Sequence, residues 1–323
     1  AAARLRRLDE TMEIIMFERG EHISFASCGL PYYVGGVIPK RKSLLVQTPG
    51  RMKRQYNIDV RTGSEVRRIF PREKQVEVSD LQNQKMYLES YDYLLLSPGA
   101  APIIPDIPGI NLPNVFTVRN VPDSDRIKEY IESEKPASAV VIGGGFIGLE
   151  MAEVLHLRGV QVTVVEAARQ VLGPLDPEMA AIVHKYLQEQ GIRLDLGDKS
   201  TAFEGSSRVE KVILESGREI PAAMVVLAIG VKPEVWLAKE AGLAIGSTGG
   251  ILVDEYSRTS DPSIYAVGDA IQVKHLVTGL DVLVPLAGPA SRQGRLVADN
   301  IAGSPVKHRG VQGTAIVKLM DMT

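Results

Sequence analysis

Residues Ser138–Gln170 read SAVVIGGGFIGLEMAEVLHLRGVQVTVVEAARQ. A short apolar run gives way to a glycine-rich turn, an amphipathic stretch and a second apolar run. That change of hydrophobic period predicts strand, turn, helix, strand. The turn is GxGxxG, with Gly143, Gly145 and Gly148, and Glu166 ends the second strand 23 residues after Gly143. Each position has a physical task. Gly143 permits the tight turn, Gly145 lets the backbone approach a pyrophosphate, and Gly148 lets the helix pack closely on the strand. The helix start offers free N–H groups and a positive dipole to phosphates. A carboxylate at Glu166 can bond ribose hydroxyls and repel a 2′-phosphate, which predicts NADH over NADPH, with Arg169 able to offset the preference. Glycine-rich turns are common on their own. The position between strand and helix, with an acid at this distance, marks a dinucleotide site.

The start of the chain repeats half of this unit. AAARLRRLDETMEIIMFERG (Ala1–Gly20) reads as a helix, a short turn and a strand ending at Glu18, beside Arg19. Gly148 precedes Glu166 by 18 residues, and 18 residues back from Glu18 lies just before residue 1. The expectation is a second dinucleotide unit whose first strand and phosphate turn are missing. Two such units suggest two nucleotides, a flavin and a nicotinamide dinucleotide.

Composition bounds the remaining possibilities. The 323 residues suggest two domains, and 45% hydrophobic with 24% charged residues excludes wholesale disorder. The net charge of −2 argues against nucleic acid as the main partner. It hides an asymmetry, because residues 1–75 hold 15 Lys/Arg against 8 Asp/Glu. A solvated face explains most of that excess; a phosphate-bearing ligand is the sharper reading. The longest uncharged run, Ile23–Pro39, is broken by glycines and prolines and falls short of the roughly 18–20 residues of a membrane span. No targeting segment is visible, which points to the cytoplasm. The single cysteine excludes an internal disulfide and a cysteine zinc cluster. The five histidines are scattered, none in a metal spacing, and read as structural.

Several separate stretches carry a family resemblance over essentially the whole chain. YDYLLLSPGAAP (Tyr91–Pro102) resembles the strand and turn that close the flavin domain of pyridine nucleotide–disulfide oxidoreductases. TSDPSIYAVGDA (Thr259–Ala270) resembles that family's second flavin motif, and VPLAGPASRQGRLVADNIAG (Val284–Gly303) its helix beside the flavin pyrimidine. The resemblance implies an α/β fold of two Rossmann-like dinucleotide-binding domains, with the nicotinamide domain inserted in the flavin domain. It implies FAD contacts from Glu18, Arg19, Ser97, Gly99, Gly268, Asp269, Leu286 and Ala287, and a cofactor contact from Gly230. It also implies a place for Glu150 near the nicotinamide–flavin contact; a dipole-favoured helix acid is the plainer reading of that residue.

The subfamily turns on ISFASCGLPYYVGG (Ile23–Gly36). Dithiol members carry a second cysteine five residues after the first, and here that position is Tyr33. The segment is most similar to coenzyme A disulfide and persulfide reductases, in the single-cysteine branch that also holds NADH oxidases and peroxidases. The resemblance implies that Arg7, Ser24 and Ser27 help hold coenzyme A. Ser27 stands where that group usually has asparagine, which removes an amide contact to the pantetheine arm.

A lone cysteine is most often a buried small hydrophobe. CGLPYY reads instead as a helix start, with Pro31 in the first turn, where the dipole favours a thiolate. The implied chemistry passes electrons from NADH, or NADPH, through the flavin to Cys28 held as a mixed disulfide. The freed thiolate then attacks a small-molecule disulfide or persulfide. With no second cysteine in the chain, the other sulfur comes from the substrate. If the second atom is oxygen, Cys28 cycles through sulfenic acid and the enzyme is an oxidase or peroxidase. A third reading, of another class, is an inactive nucleotide-binding fragment.

The expected flavin domain takes residues 1–110 and 245–308, and the nicotinamide domain 111–244. NLPNVFTVRN and GLAIGSTGG, rich in Pro, Gly and Asn, are the expected linkers. Residues 309–323 are expected to begin a dimerisation domain with its first strand, which implies a homodimer.

Overall fold

The computed structural model describes residues 1–322; Thr323, the last residue of the expected dimerisation segment, lies outside the described residues. The chain forms two compact units. One comprises residues 1–24, 47–101 and 232–315, the other residues 25–46, 102–231 and 316–322.

The second unit holds the decisive stretch. Five parallel strands lie in the order Val115–Thr117, Met224–Leu227, Ser138–Ile142, Gln161–Glu166 and Arg193–Leu196. Their middle residues are mostly Val, and Val140, Val141, Val162, Val164, Val225 and Val226 are fully buried. Such runs suit strands covered on both faces, as parallel sheets are. Helices Val121–Glu134, Phe146–Leu157 and Pro177–Glu189 accompany the sheet. The first of these starts at Asn120, whose side chain accepts the Asp123 N–H at 2.8 Å, with Pro122 in the opening turn. The expected linker NLPNVFTVRN is not a free connection, because Val115–Thr117 is the edge strand of this sheet. An antiparallel sheet of Ser200–Glu204, Lys211–Leu214 and Glu219–Pro221 shares a core around Phe203 with Val140, Ile142, Val165, Val225 and Leu227 of the parallel sheet.

Residues 25–46 belong to this second unit although residues 47–101 of the other unit separate them from its sheet. Leu30, Tyr33, Val34 and Leu44 are buried in the same core as Leu149, Met151 and Val154. The helices Leu30–Val34 and Phe146–Leu157 meet at Gly35, where a Cβ would stand 2.7 Å from the Cβ of Val154.

The first unit opens with helix Ala2–Leu8. It continues into strand Ile15–Glu18, which pairs in parallel with Asp59–Thr62. Leu94–Leu96 pairs in parallel with Ile264–Ala266, and Ser64–Phe70, Gln75–Asp80 and Lys85–Ser90 form an antiparallel sheet. Helix Ala287–Ile301 completes the unit. The expected linker GLAIGSTGG lies inside it, with Ile245 bridging Ile251.

Past Gly310 the chain makes single bridges rather than a strand. Val311 pairs with His275, and Leu319 pairs with Met322. A ladder needs a neighbour that offers a run of partners, and none of the described residues does so for this segment. No helix among the described residues is long and apolar enough to cross a membrane.

Candidate active site

The glycine-rich turn has the geometry its spacing implies. Gly143 has φ +109°, and a Cβ there would stand 2.3 Å from the Ala228 carbonyl oxygen. A Cβ on Gly148 would stand 2.0 Å from the Gly143 carbonyl oxygen, so the helix can approach the turn only without one. Around Gly145 the space is open, with nothing within 4 Å of where a Cβ would stand. No side chain caps the helix that begins at Phe146. Its first N–H groups therefore face that opening, as a phosphate cradle requires.

Glu166 does more than end its strand. One carboxylate oxygen accepts the Gly144 N–H at 2.7 Å and the other accepts the Ala168 N–H at 2.8 Å. Gly144 is held from its other side as well, because its carbonyl accepts the Leu172 N–H at 2.8 Å and Val171 covers its Cα. The Val171 N–H donates to His184 Nε2 at 3.1 Å, and burial lowers the His184 pKa, keeping the ring a neutral acceptor. Gly144 and His184 had no role in the sequence reading. Their signal was only a fourth glycine inside the turn and a histidine one helix later.

Cys28 is exposed, on the single 3-10 turn Ser27–Gly29 that leads into helix Leu30–Val34. The Ala26 N–H donates to the Leu44 carbonyl at 2.8 Å and ties the loop down. Five residues on, Tyr33 is a core residue. Its hydroxyl donates to Asp125 at 3.0 Å, and the Lys128 ammonium lies 4.8 Å from its ring centre.

Tyr32, beside it, lies within electrostatic reach of several acids. Burial, then the charges of Glu150, Glu153 and Cys28, raise its pKa. Glu150 is half-buried, and burial followed by the neighbouring Glu153 pushes its carboxyl up to about 7. Glu153 is 5% exposed. One of its oxygens accepts the Met320 N–H at 2.8 Å, and the other is buried without a partner. Burial raises its pKa as well, against the pull of that N–H and of Lys318. Glu153 and Tyr32 were absent from the sequence-derived site. The i, i+3 spacing of two acids on a helix after the glycine turn was the available signal.

The remaining expected site residues fall in the first unit, apart from Ser27, exposed beside Cys28, and Gly230, which has φ +112° and lies after strand Met224–Leu227. Glu18 ends its strand and accepts the Gly20 N–H at 2.7 Å. Arg19 pairs with Glu234 at 3.4 Å and Glu65 at 3.9 Å. Ser97 is exposed after strand Leu94–Leu96, and Gly99 has φ +75° with open space where a Cβ would be. Arg7 is exposed on the first helix, and Ser24 begins the short strand Ser24–Phe25. Gly268 and Asp269 form a turn after strand Ile264–Ala266. Buried Gln293 accepts the Gly268 N–H at 2.7 Å and so joins that turn to the helix that starts at Leu286 and Ala287.

Asp269 provides a test of whether a hydroxyl-bearing cofactor fits. Burial raises its pKa, and no side-chain or backbone donor among the described residues hydrogen-bonds it. A half-buried carboxylate in that state is suited to a donor from outside the protein, such as a polyol hydroxyl. The first unit thus offers a fit for a flavin's ribityl chain, and the second unit a cradle for a pyrophosphate.

Known proteins share the sequence pattern and the fold. The family model described as pyridine nucleotide-disulphide oxidoreductase matches residues 1–294. A curated relative from Pyrococcus furiosus, an NAD(P)H sulfur oxidoreductase (CoA-dependent), is 41% identical over the whole chain, which covers 72% of that protein. The solved structure of reduced Bacillus anthracis CoADR-RHD superposes with a TM-score of 0.97 at 53% identity, over 99% of this chain. An NAD-dependent persulfide reductase from A. fulgidus superposes at 0.96 with 39% identity, again over 99% of this chain. The chain spans only 57% and 60% of the lengths of those two solved proteins. With the glycine turn, the exposed cysteine and a family match reaching from residue 1 to residue 294, the chain belongs to the pyridine nucleotide–disulphide oxidoreductase family.

Proposed function

We propose that the chain is an FAD-dependent NAD(P)H oxidoreductase that reduces coenzyme A disulfide or coenzyme A persulfide through Cys28. The observation that carries this reading is the only cysteine of the chain, exposed on a turn whose following helix packs against the helix of the nucleotide turn. In the proposed assignment, Gly143, Gly145 and Gly148 hold the pyrophosphate of NAD(P)H and Glu166 its ribose. Gly99, Gly268, Asp269 and the helix start at Leu286 and Ala287 hold FAD. Residues 1–110 and 245–308 are assigned to flavin binding and 111–244 to nicotinamide binding. Bound there, the flavin would supply the change from hydride to electron-pair transfer.

The protein's own part is to present one thiolate to a sulfur–sulfur bond. Disulfide exchange needs a nucleophilic sulfur with access to its target, and the exposure of Cys28 meets that need. Tyr33 stands where dithiol relatives carry the second cysteine, and with Cys28 the only cysteine of the chain, the partner sulfur in this reading is the substrate's. Coenzyme A is the proposed bound thiol, with Arg7, Ser24 and Ser27 as its contacts, and the full-length protein is proposed to be a cytoplasmic homodimer.

The experiment is reduction of coenzyme A disulfide with NADH and NADPH by the purified yellow protein, with Cys28→Ser alongside. Replacement is expected to abolish disulfide-dependent nucleotide oxidation and to leave flavin absorbance in place. Undiminished turnover in Cys28→Ser would sink the assignment. A second reading is supported by relatives named NADH oxidase, one from Methanocaldococcus jannaschii at 38% identity. Intact-mass analysis separates the two: a coenzyme A adduct on Cys28 supports disulfide chemistry, and oxygen adducts without a thiol adduct support an oxidase.

A further inference from the structure

Residues 167–176 join strand Gln161–Glu166 to helix Pro177–Glu189 and have no regular structure of their own. The N–H groups of such a loop must find acceptors one by one. The Ala168 N–H donates to a Glu166 oxygen at 2.8 Å, and the Leu172 N–H to the Gly144 carbonyl, also at 2.8 Å. Between them Val171, fully buried, donates to His184 Nε2 at 3.1 Å. Of these three acceptors only the imidazole changes its proton count close to neutral pH.

A backbone N–H can only donate, so Nε2 carries no proton and the ring is the neutral tautomer protonated at Nδ1. A proton on Nε2 would set two donors against each other. The Val171 N–H would then be buried without an acceptor, which costs more than the bond itself contributes. Two features make the loop sensitive to that loss. Leu172 has φ +50°, a region that residues other than glycine rarely adopt, and it stays there only while its neighbours hold it. Val171 also lies against Gly144, where a Cβ would stand 2.8 Å from Val171 Cγ1. Gly144 is the middle of the turn between Gly143 and Gly145, with its N–H on Glu166. A brace therefore runs from the His184 ring through two loop residues to the carbonyl of the phosphate turn.

We propose that His184 is a positioning residue for the nucleotide turn: with Nε2 bare it keeps the turn shaped for a dinucleotide pyrophosphate, and protonation of Nε2 releases the turn and weakens binding. The proposal rests on the dinucleotide reading of Gly143–Glu166 and is independent of what Cys28 reduces. The charged groups nearby in the chain are Arg169 and Asp176 of the loop, and Glu178 and the Lys185–Glu189 pair of the same helix. The strand Arg193–Leu196, against which that helix packs, adds Arg193 and Asp195, the latter paired with Arg218 at 2.8 Å. None of them moves the His184 pKa, which burial alone lowers from 6.5. The braced state excludes the proton, so the brace is complete above pH 6.5 and is lost as the pH falls through the lowered pKa.

The test measures binding of ADP-ribose to the purified yellow protein by calorimetry at pH 7.5 and pH 5. ADP-ribose carries the pyrophosphate and keeps its charge over that range, and it lacks the nicotinamide. Wild type is expected to bind at least about threefold more weakly at pH 5. His184→Gln offers a side-chain carbonyl to the Val171 N–H and takes no proton; it should match wild type at pH 7.5 and keep that affinity at pH 5. His184→Leu has no acceptor and should bind about tenfold more weakly at both. Nitrogen NMR of labelled histidine needs no ligand. Nε2 should resonate as a bare acceptor at pH 7.5, and the Val171 and Leu172 amides should lose exchange protection as it protonates. A proton on Nε2 at pH 7.5, no fall in wild type, an equal fall in His184→Gln, or wild-type affinity in His184→Leu overturns the proposal. Should a variant not fold, the NMR titration of wild type decides. No binding of ADP-ribose at any pH, with Nε2 bare and the amides protected, would refute the dinucleotide reading and the binding effect with it, and leave the brace alone standing.

Discussion

At Glu150 and Cys28 the residue types alone were informative, and their surroundings were not. The lone cysteine and its CGLPYY context were readable from the sequence, as was an acid two residues after the last fingerprint glycine. That the acid is raised to about 7 was not readable, because the cause is burial beside a second carboxyl from the next helical turn. The sign of the consequence follows. The unfolded chain ionises Glu150 near 4.5 and the folded chain near 7, so its stabilising contribution is full below 4.5 and lost as the pH rises through 7. Glu150→Gln should therefore flatten the fall in stability between pH 5 and pH 8. The gain at pH 8 should be on the order of 1 kcal/mol once solvent screening of its accessible part is allowed for. Urea midpoints at the two pH values measure it, and an unchanged difference would count against the burial of this carboxyl.

The strand–turn–helix–strand element was legible almost to the residue, because hydrophobic period and glycine spacing are local properties. The strands Ser138–Ile142 and Gln161–Glu166 and the helix Phe146–Leu157 fall where the sequence put them. The three glycines nonetheless differ in what they do. Gly148→Ala drives a methyl against the Gly143 carbonyl and should cost on the order of 1–3 kcal/mol of stability. Gly145 has φ −80° and open space, so Gly145→Ala should keep the melting temperature while weakening NAD(P)H binding at least about tenfold, by occupying the cradle. Calorimetry of binding and thermal melts on both variants check the contrast. Equal loss of stability in the two would refute the separate roles. Residues 311–322 went the other way: the family resemblance implied a strand, and without a run of partners the segment forms only isolated bridges.

For the whole molecule, the least legible feature is that residues 25–46 share a core with residues 102–231. Leu30 is 2% exposed within that core. Leu30→Ala should cost about 2–5 kcal/mol and speed amide exchange in the strands Ser138–Ile142 and Gln161–Glu166. Exchange in Ile264–Ala266, which belongs to the other core, should stay as it was. Hydrogen-exchange mass spectrometry reads both, and faster exchange confined to Ile264–Ala266 would contradict the division. By itself the sequence determined the α/β class, the nucleotide turn with its three glycines, and the single thiol, because each is written in local spacing and residue type. Only the tertiary structure decided that Tyr32 comes within electrostatic reach of Glu150 and Glu153, that His184 braces the turn through Val171, and that Tyr33 is buried with its hydroxyl on Asp125. Those relations join residues more than a helix apart in the chain. They depend on which surfaces are buried together, and no local pattern encodes that.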